Sequence, residues 1–79
     1  MNIYRHKFVC HCPNNSQSIV YELTIESLKM IQVELITDAA AKFKSAFHEN
    51  LADELYGIFG GRQTIEAHHH GVDVKTVRP

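Results

Sequence analysis

The amino-acid sequence predicts a small α+β domain in which an antiparallel sheet of ββαββ order carries one long or broken amphipathic helix on one face. Two segments within residues 3–25 alternate polar and apolar side chains, with the two-residue period of a β-strand. From residue 33 onward apolar side chains recur every three or four positions, as on one face of a helix. The alternation returns in residues 62–79, and a chain of 79 residues predicts a single domain, 1–79.

The first alternating segment, Ile3 to Cys12, predicts a strand whose core-side face is mixed in character. That face carries Tyr4, His6, Phe8, Cys10 and Cys12. The segment Pro13 to Gln17 combines residue types that favour turns, and the second alternating segment, Ser18 to Ile25, follows it. We therefore expect a β-hairpin, with the core face of its second strand formed by Ile19, Tyr21, Leu23 and Ile25.

The helical pattern begins either at a cap provided by Ser27 or near Gln32. Its apolar positions are Ile36, Ala40, Phe43, Phe47, Leu51, Leu55, Ile58 and Phe59. Gly60 and Gly61 are expected to end the helix, because glycine readily adopts the left-handed conformation of a C-terminal cap. Asn50 could cap a second helix and so break the element in two. The expected core combines Phe8, Leu23, Phe43, Phe47 and Leu55.

The closing segment, Arg62 to Pro79, predicts two strands that meet near His70 and Gly71. One strand over this whole length would be too long for so small a domain, and glycine is common in hairpin turns.

Six histidines, three of them consecutive at positions 68–70, suggest a metal site, because imidazole is a common ligand of transition metals. On a strand, His68 and His70 share one face about 6–7 Å apart, Glu66 joins them, and His69 points to the other face. Zinc bound by His68, His70 and Glu66 is therefore one hypothesis, although we expect no cofactor. A second set, His6, Cys10, Cys12 and His69, would need an uncovered inner face.

The two cysteines are more simply interpreted as buried, reduced thiols. Cys10 and Cys12 are too close along one strand face to favour a disulfide with each other, and on the core side they behave as small hydrophobic residues. Paired with a histidine, either could act as a nucleophile. We give more weight to a protein without enzymatic activity, and expect His48, in a charged helical stretch, to be solvated.

The ββαββ order and the clustered strand histidines together resemble half of the tunnelling fold of pterin- and purine-binding enzymes. This resemblance implies, as an alternative function, a small enzyme subunit of the pterin or purine type.

Charge and hydropathy narrow the range of partners. The formal charge of −1 lacks the basic excess of proteins that bind nucleic acid, so nucleic acid is not an expected partner. No apolar run reaches the roughly 20 residues that cross a bilayer, and the N-terminus lacks the apolar core of a signal peptide. We expect a cytoplasmic protein without membrane association.

These observations favour a small, non-enzymatic protein–protein interaction module, which self-association into a homodimer could stabilise. The predicted interface is the outer sheet face or a free strand edge. Its candidate binding residues are His11, Glu66, His68 and His70.

Overall fold

The computed structural model describes residues 1–79 and contains four strands and two helices. In chain order they are β1 (Asn2–His11), β2 (Ser18–Ser27), α1 (Val33–Ala41), α2 (His48–Phe59), β3 (Arg62–His69) and β4 (Val72–Arg78). The strands form one antiparallel sheet in the order β1-β2-β3-β4. The α+β fold and its ββαββ order are therefore confirmed, with the helical element in its broken form.

Both helices pack on the same face of the sheet. Phe8, Tyr21, Ala67 and Val74 lie side by side across the four strands, and paired residues of antiparallel strands project to one face. This inner face joins both helices in one core of buried residues, which are Cys10, Cys12, Ile19, Tyr21, Leu23, Ile25, Ile36, Leu51, Ala52, Leu55 and Ile65. The outer face of the sheet is left to solvent.

The helical pattern is interrupted at residues 42–47. α1 begins at Val33, as the start near Gln32 predicted, whereas Ser27 is the last residue of β2 and its Oγ accepts a hydrogen bond from the N–H of Lys29 at 3.1 Å. The break precedes α2, so the prediction of a cap at Asn50 is wrong. Phe47 has an extended backbone at the start of α2 and is 45% exposed, so its predicted place in the core is also wrong.

Two glycines allow the chain to turn from α2 into β3. Gly60 has φ +64°, and its N–H donates to the carbonyl oxygen of Tyr56, which confirms the predicted helix end. Gly61 has φ +67°, and a Cβ there would lie 2.4 Å from the carbonyl oxygen of Glu26. Only glycine fits at position 61 without moving the backbone.

A buried amide joins β3 to the end of α2. Gln63 is 3% exposed, and its Nε2 donates hydrogen bonds to the carbonyl oxygens of Leu55 at 3.0 Å and Gly60 at 2.8 Å. The side chain thus supplies a donor to the carbonyl of Gly60, just past the helix end, and a second donor to the carbonyl of Leu55 inside the last turns. Two-residue alternation places Gln63 on the same face as the buried Ile65, but its polar side chain gave no indication of burial.

The predicted hairpin between β3 and β4 is confirmed, with His70 and Gly71 as its two turn residues. Their φ angles are +53° and +77°, which are typical of the type I′ turn that suits the twist of two-residue hairpins.

Neither helix has both the length and the apolar character needed to cross a lipid bilayer.

Candidate functional site

The structure separates the histidines that the alternation placed together. His68 lies on the outer face, with Nδ1 2.7 Å from Oδ1 of Asp73. β3 ends at His69, so His70 lies in the turn, and the prediction that His68 and His70 share a strand face is wrong. The left-handed backbone brings the ring of His70 against that of His69, with centroids 4.0 Å apart, and its Nε2 lies 3.0 Å from Nδ2 of Asn15.

The other two candidate residues do lie on the outer face. Glu66 pairs with Glu22 on one side and Lys75 on the other. His11 lies at the end of β1, where its Nδ1 is 3.2 Å from Oγ of Ser18.

No three His, Cys, Asp or Glu side chains converge on a point where they could hold a metal ion. The hypothetical ligands His68, His70 and Glu66 are therefore not assembled, because the turn directs His70 elsewhere. The inner-face set of His6, Cys10, Cys12 and His69 does not converge either.

The rings of His69 and His70 instead border a cleft of about 420 Å³ at the turn end of the sheet, which we call the histidine cleft. Its lining includes Cys12, Tyr21, His48, His69 and His70. The ring of His48 is tilted against Tyr21 with centroids 5.5 Å apart, so the expectation that His48 is solvated is wrong. Nε2 of His48 and Nδ1 of His69 are buried without a hydrogen-bond partner.

A sequence signal for the position of His48 did exist. His48 precedes the buried residues Leu51 and Leu55 by three and seven positions, which is the spacing of one helix face. The run of charged residues after Phe47 obscured this spacing.

Burial shifts the pKa values of His48 and Cys10 at this end of the fold. Desolvation lowers the pKa of His48, and the charge of Arg78 acts in the same direction, while the Ile65 carbonyl and Glu49 oppose the shift. Desolvation raises the pKa of the Cys10 thiol, and hydrogen bonds with the backbone of Ala46 and His11 oppose this shift. Cys10 is therefore a protonated thiol at neutral pH and lacks the thiolate character of a catalytic nucleophile.

The free edge of β1 is a second candidate site, and its backbone geometry can be determined from its last residues. His11 directs its N–H to the carbonyl oxygen of Lys44 at 3.0 Å and accepts from the N–H of Ala46 at 3.1 Å, whereas the next residue, Cys12, donates to Gln17 in the hairpin with β2. In an antiparallel ladder successive residues alternate in this way. The residues of β1 that point their N–H and C=O groups away from β2 are therefore Ile3, Arg5, Lys7, Val9 and His11.

Four of these residues, at successive outward positions, are exposed, and we call them the β1 edge: Ile3, Arg5, Lys7 and Val9. Ile3 and Val9 are 59% and 54% exposed, so the run has an apolar residue at each end and a cation at each central position. The sequence had indicated a free strand edge as an interface, without indicating which one.

A cleft of about 510 Å³ opens between the inner side of β1 and α1. It is lined by His6, Phe8, Val9, His11, Thr37, Ala40, Ala41, Phe43 and Lys44. Apart from the hydroxyl of Thr37, the lining is apolar or basic, and it contains no carboxylate. We call it the β1–α1 cleft, and it lies directly beside the β1 edge.

A larger groove, of about 950 Å³, runs between the two helices. Leu35, Phe43, Phe47 and Ile58 supply much of its apolar lining, while acidic and basic residues share its rim. None of the residues that line this groove belongs to a strand, so it offers no strand edge to a partner.

No protein-family model, curated protein or solved structure matches this chain.

Proposed function

We propose that this protein is a non-enzymatic protein-binding module that takes an extended segment of a partner protein as an additional strand beside β1. The observation that carries the proposal is the β1 edge, a run of outward backbone groups with an open cleft along its inner side. Strand addition uses such an edge for main-chain hydrogen bonds and neighbouring pockets for specificity.

The β1 edge is better suited to this role than the opposite edge of the sheet. β1 has ten residues and β4 has seven. In the two-residue hairpin Val72 pairs with His69, so the outward residues of β4 are Asp73, Lys75 and Val77. On the inner side of β4, Arg78 is held by Glu49 and Asp53 of α2, with ion-pair distances of 3.0 and 2.8 Å.

A second copy of this chain is a poor occupant of the β1 edge. Any antiparallel register that overlaps three or more of its four residues places Arg5 or Lys7 directly opposite Arg5 or Lys7 of the other copy. Like charges opposite each other on neighbouring strands are destabilising. A different protein is therefore the favoured partner, in preference to the homodimer expected from chain length.

The alternative functions receive less support from the geometry. The zinc hypothesis required His68 and His70 on one strand face, and the turn separates them. The likeness to pterin- and purine-binding subunits depended on the ββαββ order, which the fold has, and on the same clustered strand histidines, which the turn separates. For an enzyme that uses a cysteine, burial leaves the Cys10 thiol protonated.

The proposal is tested by selecting ligands from a displayed library of random linear peptides and measuring their affinity for two proline variants. Val9→Pro removes an outward N–H of β1 and spares the ladder with β2, and Lys75→Pro is the matched change at the β4 edge. We expect Val9→Pro to weaken binding at least about fivefold, since one hydrogen bond and close approach are lost, and Lys75→Pro to leave it unchanged.

Thermal unfolding of both variants checks that the fold is retained. A library that yields no ligand, or ligands that bind Val9→Pro as tightly as the wild type, would overturn the proposal.

A further inference from the structure

We infer that the segment accepted by β1 is acidic, with carboxylates at two alternate positions facing Arg5 and Lys7. This inference rests on the proposed strand addition and specifies the chemistry of its partner.

The outer side of the β1 edge determines the charge of the segment. Arg5 and Lys7 project to the outer face, since Lys7 pairs there with Glu22, and both side chains are exposed. The single ion pair of Lys7 is long, with its Nζ 3.7 Å from Oε2 of Glu22, and the Lys7 side chain is 73% exposed. An added strand would place its own outer side chains directly opposite these cations. Opposite charges in such cross-strand positions contribute roughly two- to fivefold each in affinity.

The apolar residues at the two ends of the β1 edge indicate which residues flank the carboxylates in the bound segment. Ile3 and Val9 are exposed apolar side chains in line with Arg5 and Lys7 on the same face. A partner strand covers them best with apolar residues, because burial of apolar surface is favourable. The outer positions of the segment therefore read apolar, acidic, acidic, apolar, with one residue between successive positions. This order is the same in both directions, so it does not depend on strand orientation.

The β1–α1 cleft indicates which side chains fit at the inward-pointing positions of the bound segment. The intervening side chains of an added strand point to the inner side, where Phe8, Ala40 and Ala41 line the cleft. Small apolar side chains fit this lining. Lys44 lies at the closed end, so the nearest charge within the cleft also favours an acidic partner.

A blocked synthetic peptide of about seven residues, Val-Ala-Glu-Ala-Glu-Ala-Val, tests the inference against the same peptide with Lys in place of Glu. Binding is measured by chemical-shift changes of the backbone amides, which detect weak complexes. We expect the Glu peptide to shift the amides of the β1 edge and to bind roughly tenfold more tightly than the Lys peptide. Its affinity should fall with added salt, because the paired charges are exposed.

Charge reversal in the protein provides a second test of the acidic chemistry. The double variant Arg5→Glu, Lys7→Glu should prefer the Lys peptide, whereas Lys75→Glu, the matched change on β4, should keep the preference for Glu. Equal binding of both peptides at the β1 edge, or an unchanged preference in the double variant, overturns the acidic chemistry and leaves strand addition standing. If neither peptide shifts these amides, the acidic inference fails, and library ligands that also avoid the β1 edge would remove strand addition with it.

Discussion

His11 and Ser45 form an isolated parallel bridge that closes one end of the β1 edge. The linker between the helices thus already pairs with the outward side of β1, through the hydrogen bonds that Lys44 and Ala46 make with His11. The bridge uses the outward N–H and C=O of His11, the same kind of backbone groups that an added strand would use. It also marks the boundary beyond which an added strand would collide with the protein's own chain.

Replacing Ala46 with proline should loosen this bridge, because the N–H that donates to His11 is removed. We expect the free energy of unfolding to fall by about 1–3 kcal/mol. The control, Ser45→Ala, keeps all backbone groups and should change stability little. Urea unfolding of the two variants makes the comparison, and equal stabilities would contradict this assignment of the bridge.

Gln63→Leu should destabilise the fold by about 1–2 kcal/mol, because the carbonyl of Gly60 loses its side-chain donor and the carbonyl of Leu55 loses one of two, while removal of the unpaired Oε1 offsets part of this loss. Thr64→Val, on the other face of the same strand, is the control and should change stability by less than about 1 kcal/mol. Chemical denaturation measures both, and a smaller effect for Gln63→Leu than for Thr64→Val would refute the role given to this amide.

Two alanine substitutions at glycines should act in opposite directions. Gly57→Ala lies in α2 with open space around its Cβ, so a gain of about 0.5–1 kcal/mol is expected from helix propensity. Gly61→Ala combines a positive φ with the close carbonyl of Glu26, so we expect a loss of about 2 kcal/mol or more. Thermal unfolding tests both signs, and a stable Gly61→Ala protein would rule out the close approach.

The lowered pKa of His48 makes the fold sensitive to acid. The unfolded chain binds a proton at His48 more readily than the folded protein does. The stability contributed by the neutral ring is therefore fully present above the ordinary histidine pKa of 6.5 and is lost as the pH falls below it. His48→Phe keeps a ring against Tyr21 and cannot be protonated. Between about pH 7 and about pH 5 this variant should lose less unfolding free energy than the wild type. An equal loss in both proteins would show that His48 is not the group responsible.

The Cys10 thiol should be inert in the native protein, because it is buried and its pKa is raised. The Cys12→Ser variant isolates it for titration with a thiol-specific disulfide reagent at neutral pH. Modification is expected to follow unfolding, with a rapid reaction only in denaturant. If the thiol reacted in the native protein at a rate close to that in denaturant, Cys10 would again be a candidate nucleophile.

The sequence predicted those features that depend on periodicity. Alternation placed Tyr21, Leu23 and Ile65 on one buried face, and helical spacing identified Ile36 and Leu55. Burial of apolar side chains is favourable, so the buried positions repeat with the period of the strand or the helix and can be identified from the sequence.

The features that the sequence did not predict depend on single backbone conformations and on pairing between distant segments. A positive φ at His70, a non-glycine residue, reassigns its ring from the outer face to the histidine cleft. The linker pairs with His11 through backbone groups, which carry no side-chain signature. The edge left free at Ile3 to Val9 follows from that pairing, so its location required the structure.

Strand addition at the β1 edge can be examined by hydrogen exchange of the β1 amides, measured with and without a peptide selected from the library. In the free protein the amides of Arg5, Lys7 and Val9 should exchange quickly, while those of His6, Phe8 and Cys10, which bond to β2, should be protected. Bound peptide should slow the first set and leave the second unchanged. Uniform protection along β1 in the free protein, or a bound peptide that leaves Arg5, Lys7 and Val9 in fast exchange, would contradict strand addition at this edge.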